Sequence, residues 1–147
     1  MLNEDVLDTM VRMAMDGMKN EYVEHGAFSV GACVLASDGT LYTGCTIDNS
    51  CPQLIMSAEM VAMAKAVSDG KREFDAIVVI ADTEKPYIPS GTICQMLAEF
   101  HVPEVIMANI NGDAESVPLE DLLPYGQRRA ELLSNEPSFL FDMDEED

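Results

Sequence analysis

The sequence is poor in basic residues and in long apolar runs. Lys and Arg number 8 against 27 Asp and Glu, which gives a formal net charge of −19, and no segment concentrates positive charge. Such a chain repels phosphate backbones and anionic headgroups, which argues against nucleic-acid and membrane partners. Apolar runs such as Phe74–Ala81 are far shorter than the roughly 20 residues of a membrane-spanning helix.

Signal-like and disulfide-like patterns are also missing. The N-terminal segment MLNEDVLDTM is acidic and lacks the basic region and apolar stretch of a secretory signal. The four cysteines show no paired spacing, which favours free thiols over disulfides. These observations predict a cytoplasmic protein.

The length and apolar content of the chain suit one hydrophobic core. The sequence has 147 residues, 48% of them hydrophobic, which is enough for a single domain. Five of the last six residues are acidic. We predict one domain over residues 1–135 and an acidic, solvated tail over residues 136–147.

Periodicity and turn residues predict an alternation of helices and strands. Apolar residues three and four apart, from Val6 to Met13, indicate an opening helix, and the SDG turn at 37–39 joins two strands, 28–36 and 41–47, into a hairpin. The elements predicted next are a helix 57–68, a central strand 76–81, a helix 92–100, a strand 104–108, and a last strand or turn with a C-terminal helix within 116–135. This order favours an α/β fold with a mixed sheet and helices on both faces.

Several motifs occur in an order that is typical of one enzyme family. They are YVEHGAFSVGACVLASDGTLYTGC, GCTIDNS, SAE, PSGTICQMLAEF and LLPYG, between about Tyr22 and Tyr125. In these motifs the chain resembles the small, single-domain cytidine deaminases. The resemblance implies a three-layer α/β/α sandwich with a mixed five-stranded sheet, and assembly as a homodimer or homotetramer.

The same resemblance places the family's three zinc ligands at Ser57, Ser90 and Ile93. A serine hydroxyl is a poor substitute for thiolate or imidazole, and isoleucine has no donor atom. The arginine that follows the second cysteine of the family corresponds to Cys94. We therefore expect no metal ligands at these positions and no zinc cofactor. A displaced site using Cys94 and Cys51 is the alternative, although Cys94 lies about 100° around the helix from the ligand position.

The general acid/base of the family corresponds to Glu59. Without zinc, water keeps a pKa near 15.7 instead of about 7, so the resemblance implies a vestigial catalytic Glu59 and lost hydrolysis. Two structural alternatives stand beside this interpretation. Glu59 can be a first-turn acid stabilised by the helix dipole, and Ser57 and Ser90 can be helix N-caps rather than nucleophiles.

Other positions of the family pattern predict a small-molecule site. Thr46 and Asp48 correspond to the pair that grips the ribose, each shorter than the family residue, and Phe28 corresponds to the aromatic that stacks on the base. Phe28 as a core residue is equally compatible with its strand. The predicted substrate-binding residues are Phe28, Thr46, Asp48, Ser57, Ala58 and Ser90.

Three functions are compatible with these residues. The first is binding of a nucleoside, a base or a related small molecule without hydrolysis. The alternatives are an active cytidine or nucleoside deaminase, or related hydrolase, with an unusual site, and a regulatory subunit of a deaminase assembly.

Overall fold

The opening helix begins where the sequence supplies a cap. In the computed structural model, which describes residues 2–128, α1 spans Glu4–Met18 and the Asn3 side chain accepts a hydrogen bond of 2.8 Å from the Asp5 amide. Met10 and Ala14 are completely buried. The predicted helix and its inward face are confirmed.

Five strands form one mixed sheet. They are β1 (Val30–Ala36), β2 (Leu41–Cys45), β3 (Phe74–Ala81), β4 (Glu104–Asn109) and β5 (Ala114–Pro118), in the spatial order β2-β1-β3-β4-β5. Only β3 and β4 run parallel; the other neighbouring pairs are antiparallel. All residues of β3 except Asp75 are buried, in agreement with its predicted central place.

Helices cover both faces of the sheet. On one face, α1 packs with alternate residues of β1 and β3, including Cys33 and Val78. On the other face lie α2 (Ala58–Ser68) and α3 (Gly91–Glu99), over residues such as Val34 and Val79. The three-layer α/β/α sandwich with a mixed five-stranded sheet is therefore confirmed.

A glycine lets α2 approach the sheet closely. A Cβ atom placed on Gly44 would lie 2.1 Å from the Ala58 carbonyl oxygen and 2.6 Å from the Ala62 amide nitrogen, both of them backbone atoms of α2. Only a residue without a side chain fits there. This contact sets the depth of the first turn of α2 against β2.

The C-terminal part of the described chain contains little regular secondary structure. After β5, a single-turn helix α4 spans Leu119–Leu122, and the remainder of the predicted C-terminal helix lies mostly outside the described residues. The tail 136–147 also lies outside them, so the division between domain and tail stays a prediction. No helix within residues 2–128 combines the length and apolarity needed to cross a bilayer.

Candidate active site

The first turn of α2 carries a buried carboxyl group. Ser57 is the N-cap, and its Oγ accepts from the Met60 amide at 3.3 Å. Ala58 and Glu59 follow and are completely buried. Neither carboxyl oxygen of Glu59 has a hydrogen-bond partner among the described residues. Buried polar groups of folded proteins are rarely left without a hydrogen-bond partner. These oxygens therefore mark a place where a ligand or water belongs.

Burial raises the pKa of Glu59 above its ordinary value, because a charge is poorly solvated there. Its own amide and the Ser57 hydroxyl oppose the shift, but neither makes a hydrogen bond of normal geometry with the carboxyl group. The side chain is therefore suited to hold a proton at a higher pH than an exposed glutamate.

The first turn of α3 lies close to this carboxyl group. Ser90 is the N-cap, and its Oγ accepts from the Ile93 amide at 3.4 Å. Burial, and then the charge of Glu59, raises the pKa of Cys94, whose Sγ donates to the Pro89 carbonyl at 3.8 Å. Two helix N-termini thus meet near Glu59, and the predicted capping roles of Ser57 and Ser90 are confirmed.

An aromatic pair joins the segment before β1 to the segment before α3. Phe28 and Tyr87 are stacked, with ring centroids 5.7 Å apart and planes at 22°. Burial, and then the charge of Glu59, raises the pKa of Tyr87. Phe28 is 55% exposed, so it is not a core residue in this structure. Its role in stacking on a base remains a prediction.

Tyr87 is not among the residues predicted from the sequence. The only signal is its place in PYIPSG, three residues before the cap Ser90, at the entrance to α3. Its amide donates to the Ala108 carbonyl at 3.2 Å, which fixes this entrance to the end of β4.

The two predicted sugar-binding side chains organise the neighbouring loop. The Thr46 hydroxyl accepts from the Val30 amide at 2.9 Å and donates to the Phe28 carbonyl at 2.8 Å. The Asp48 carboxylate accepts from the amides of His25, Ala27 and Asn49. Burial alone would raise the pKa of Asp48, but these amides outweigh burial and hold the pKa below its usual range. Both side chains therefore shape the segment that presents Phe28.

Comparison with known proteins places this arrangement in a family. Residues 5–109 match the family model described as the cytidine and deoxycytidylate deaminase zinc-binding region. The chain belongs to the cytidine deaminase family. A cytidine deaminase of Sporosarcina psychrophila is 41% identical over 121 residues, which cover 80% of this chain and 88% of the relative. A cytidine deaminase of Halalkalibacterium halodurans is 35% identical and is matched over 78% of this chain and 89% of its own.

A solved cytidine deaminase structure has the same fold. The cytidine deaminase crystal structure from Burkholderia pseudomallei superimposes with a TM-score of 0.78 at 31% sequence identity, covering 82% of this chain and 98% of the other. The family resemblance predicted from the sequence motifs is confirmed.

The family assignment corrects the expectation about the cofactor. From the sequence, no zinc is predicted; this prediction is wrong, because the matching family model is a zinc-binding region and both relatives are named cytidine deaminases. The prediction considered the three ligand positions and a displaced pair, Cys94 and Cys51. A zinc ion also accepts carboxylate oxygen, and Glu59 has two oxygens without a protein partner.

The three positions themselves nevertheless do not fit the ion. The oxygens of Ser57 and Ser90 accept from helix amides, and Ile93 is a buried hydrocarbon. Cys51 is exposed, with its Sγ donating to the Gln53 side chain at 3.2 Å, and no cluster of three or more His, Cys, Asp or Glu suited to a metal occurs within residues 2–128. The polar groups at the starts of α2 and α3 are the Glu59 carboxyl, the hydroxyls of Ser57 and Ser90, and the N–H groups of the two first turns.

Proposed function

We propose that this chain binds a pyrimidine nucleoside next to Glu59, with Glu59 as the proton-carrying group. The observation that carries the proposal is the fully buried Glu59 carboxyl without a partner, at the point where α2 and α3 begin. A pyrimidine ring offers the hydrogen-bonding edge that this carboxyl group lacks.

The surroundings of Glu59 support a ring-shaped ligand with a sugar. Phe28 is exposed enough to stack on a base, and its stacking with Tyr87 fixes the orientation of the ring. The side chains of Thr46 and Asp48 already form hydrogen bonds with backbone groups of the loop. We therefore expect a sugar to be held by this loop rather than by the two side chains alone.

Deamination by an unusual site is the catalytic form of this proposal. In it, water adds to C4 of cytidine and ammonia leaves, giving uridine, while a carboxyl group beside the ring transfers protons. The names of the relatives and the retained Glu59 support this form.

Binding without hydrolysis is the second candidate, and the hydroxyl and hydrocarbon groups of Ser57, Ser90 and Ile93 favour it. Such a protein would serve as a nucleoside-binding member or as a regulatory subunit of a deaminase assembly. We expect the chain itself to form a homodimer or homotetramer, which light scattering after gel filtration would test.

Three measurements on the purified full-length protein test the proposal. They are calorimetric titration with cytidine and uridine, release of ammonia from cytidine, and metal content by mass spectrometry. Nucleoside binding that is lost in Glu59→Ala but kept in Glu115→Gln, an exposed acid on β5, supports it. Absence of binding to both nucleosides would refute it. Ammonia release that depends on Glu59 decides for the deaminase, and binding without ammonia decides for the second candidate.

A further inference from the structure

The turn between β4 and β5 contains an asparagine followed by a glycine. Asn111 is the only one of the six asparagines in the sequence that precedes glycine. Asparagine is thermolabile because the backbone nitrogen of the next residue can attack its side-chain amide, and a side chain on that residue obstructs the attack. Gly112 has none, and nothing lies within 4 Å of the place where its Cβ would stand. The Gly112 nitrogen can therefore approach the Asn111 amide without obstruction.

The surroundings of Asn111 differ from those of its neighbour Asn109. Asn111 is exposed, and its side chain has no hydrogen-bond partner within residues 2–128. Asn109 is 1% exposed, and its Nδ2 donates to the Glu84 carbonyl at 3.1 Å and to the Asp113 carboxylate at 2.8 Å. Its Oδ1 accepts from the amides of Asn111 and Asp113, both at 3.0 Å. The Asn109 amide is thus held in place, whereas the Asn111 amide is free to react.

The attacking nitrogen is held only weakly. The Gly112 amide donates to the Asn109 carbonyl at 3.3 Å, longer than the roughly 2.7–3.2 Å that is usual for such bonds. Gly112 has a φ of +97°, and glycine can leave this conformation because both signs of φ are open to it. The ladder pairs Ala108 with Ala114 before the turn begins. The nitrogen can therefore be freed without separating the two strands.

We propose that Asn111 is a self-modification site, which converts to aspartate or isoaspartate in the folded protein and thereby loosens the loop that carries Tyr87. Base from the solvent removes the Gly112 amide proton, and the nitrogen forms a bond with Cγ of Asn111. The bond from Cγ to Nδ2 breaks, and ammonia leaves. Water then opens the succinimide ring at one of its two carbonyl groups. One opening gives aspartate, and the other gives isoaspartate, whose backbone has one additional atom.

The turn is linked to the loop before α3 through Asn109. The side chain that accepts from the Asn111 amide also donates to the Glu84 carbonyl, and the Tyr87 amide donates to the Ala108 carbonyl at 3.2 Å. An additional backbone atom after Asn111 changes the path of the turn over Asn109. The loop from Glu84 to Tyr87 then loses part of its support.

Incubation of the purified full-length protein at pH 8, folded or in urea, tests the modification. Peptide mass mapping should show that Asn111 loses its amide in the folded protein while Asn109 keeps its own, and ion exchange should show the gain of one negative charge. Conversion should be slower at pH 6, because less of the Gly112 nitrogen is deprotonated. Electron-transfer fragmentation separates isoaspartate from aspartate. Asn111 that stays intact in the folded protein, over a time in which the chain in urea converts there, would overturn the proposal.

Asn111→Gln is the matched control, because its longer side chain closes a ring less readily and should keep its amide. Hydrogen exchange tests the effect on the loop: amides of residues 84–90 should exchange faster after incubation of the unsubstituted protein, but not after incubation of the variant. Conversion of Asn111 without faster exchange would overturn the link to the loop. Faster exchange in the incubated variant as well would overturn it too, because the cause would lie elsewhere.

Discussion

At the residue scale, the buried Glu59 carboxyl group carries a cost in stability. A carboxyl group without hydrogen bonds in a buried place is costly, because it has lost water and gained nothing in return. Folding alone would favour an apolar side chain at this position. A ligand that supplies the missing hydrogen bonds would remove the cost.

This cost predicts a pH-dependent effect of Glu59→Gln. Because burial raises the pKa of Glu59, the folded state holds this proton more tightly than the unfolded state. The contribution of Glu59 to the free energy of unfolding is fully present below the ordinary carboxyl pKa and is lost as the pH rises through the raised pKa. We expect the variant to be more stable than the unsubstituted protein by about 1–3 kcal/mol at pH 8, with a smaller difference at pH 5.

Urea unfolding of the ligand-free protein at several pH values measures this difference. Glu115→Gln should leave the pH dependence unchanged, because that residue is exposed. A Glu59→Gln protein that is less stable by the same amount at every pH would contradict the prediction.

Thiol reactivity gives a second prediction for single residues. Burial raises the pKa of Cys33 to about 12, whereas Cys51 is exposed. Since the thiolate is the reactive form, iodoacetamide at pH 8 should modify Cys51 in the folded protein and Cys33 only after unfolding. Peptide mass mapping identifies the labelled residue, and Cys51→Ser is the control. Rapid labelling of Cys33 in the folded protein would disagree with its burial.

The residues that could be predicted from the sequence are those fixed by local chemistry. Serine before a helix is recognisable, so the capping roles of Ser57 and Ser90 follow from the sequence. The contact between Phe28 and Tyr87 is different, because it joins two loops far apart along the chain. No local pattern records it, and only the fold brings the two rings together.

At the scale of elements, the candidate site depends on how closely α2 and α3 pack on the sheet. The strands β1 and β3 could be predicted because their residues are nearly all apolar, whereas β5 is mostly exposed and carries no such pattern. The ends of the strands could not be predicted as well. The first strand begins at Val30 rather than Phe28, and the Phe28 ring stacks on Tyr87. The close approach of α2 to Gly44 also cannot be predicted from the periodicity of apolar residues.

Gly44→Ala should therefore disturb α2. The added methyl group meets backbone atoms at 2.1 and 2.6 Å, and backbone cannot move aside as a flexible side chain does. We expect a loss of about 1–3 kcal/mol in the free energy of unfolding, and weaker nucleoside binding because the first turn of α2 is displaced.

Gly17→Ala is the matched control on α1. A Cβ atom there lies 3.5 Å from the Thr43 Cβ, an ordinary contact, so the variant should gain up to about 1 kcal/mol from helix propensity. Urea unfolding of both proteins compares them. Equal stability of Gly44→Ala and the unsubstituted protein would show that α2 can shift without cost.

At the scale of the whole molecule, the net charge of −19 works against compactness. Like charges repel each other more strongly in the folded chain than in the expanded one, and dissolved ions screen this repulsion. We expect the melting temperature to rise by about 2–4 °C, the equivalent of about 1 kcal/mol, between 20 and 300 mM KCl. Differential scanning calorimetry measures it. NaCl should act equally, and a stabilising effect restricted to one of the two salts would indicate specific ion binding instead.

The pairing of β1 with β3 also has a consequence for the order of folding. Cys33 of β1 pairs with Val78 of β3, and β2 and α2 lie between them along the chain. Pairing of β1 with β3 therefore closes a long loop that contains β2 and α2. Closing such a loop is slower than forming a hairpin or a helix. We expect α1 and the β1–β2 hairpin to form early, and the meeting of the two helix entrances near Glu59 to be among the last events, completed when the crossover through α3 docks β4 beside β3.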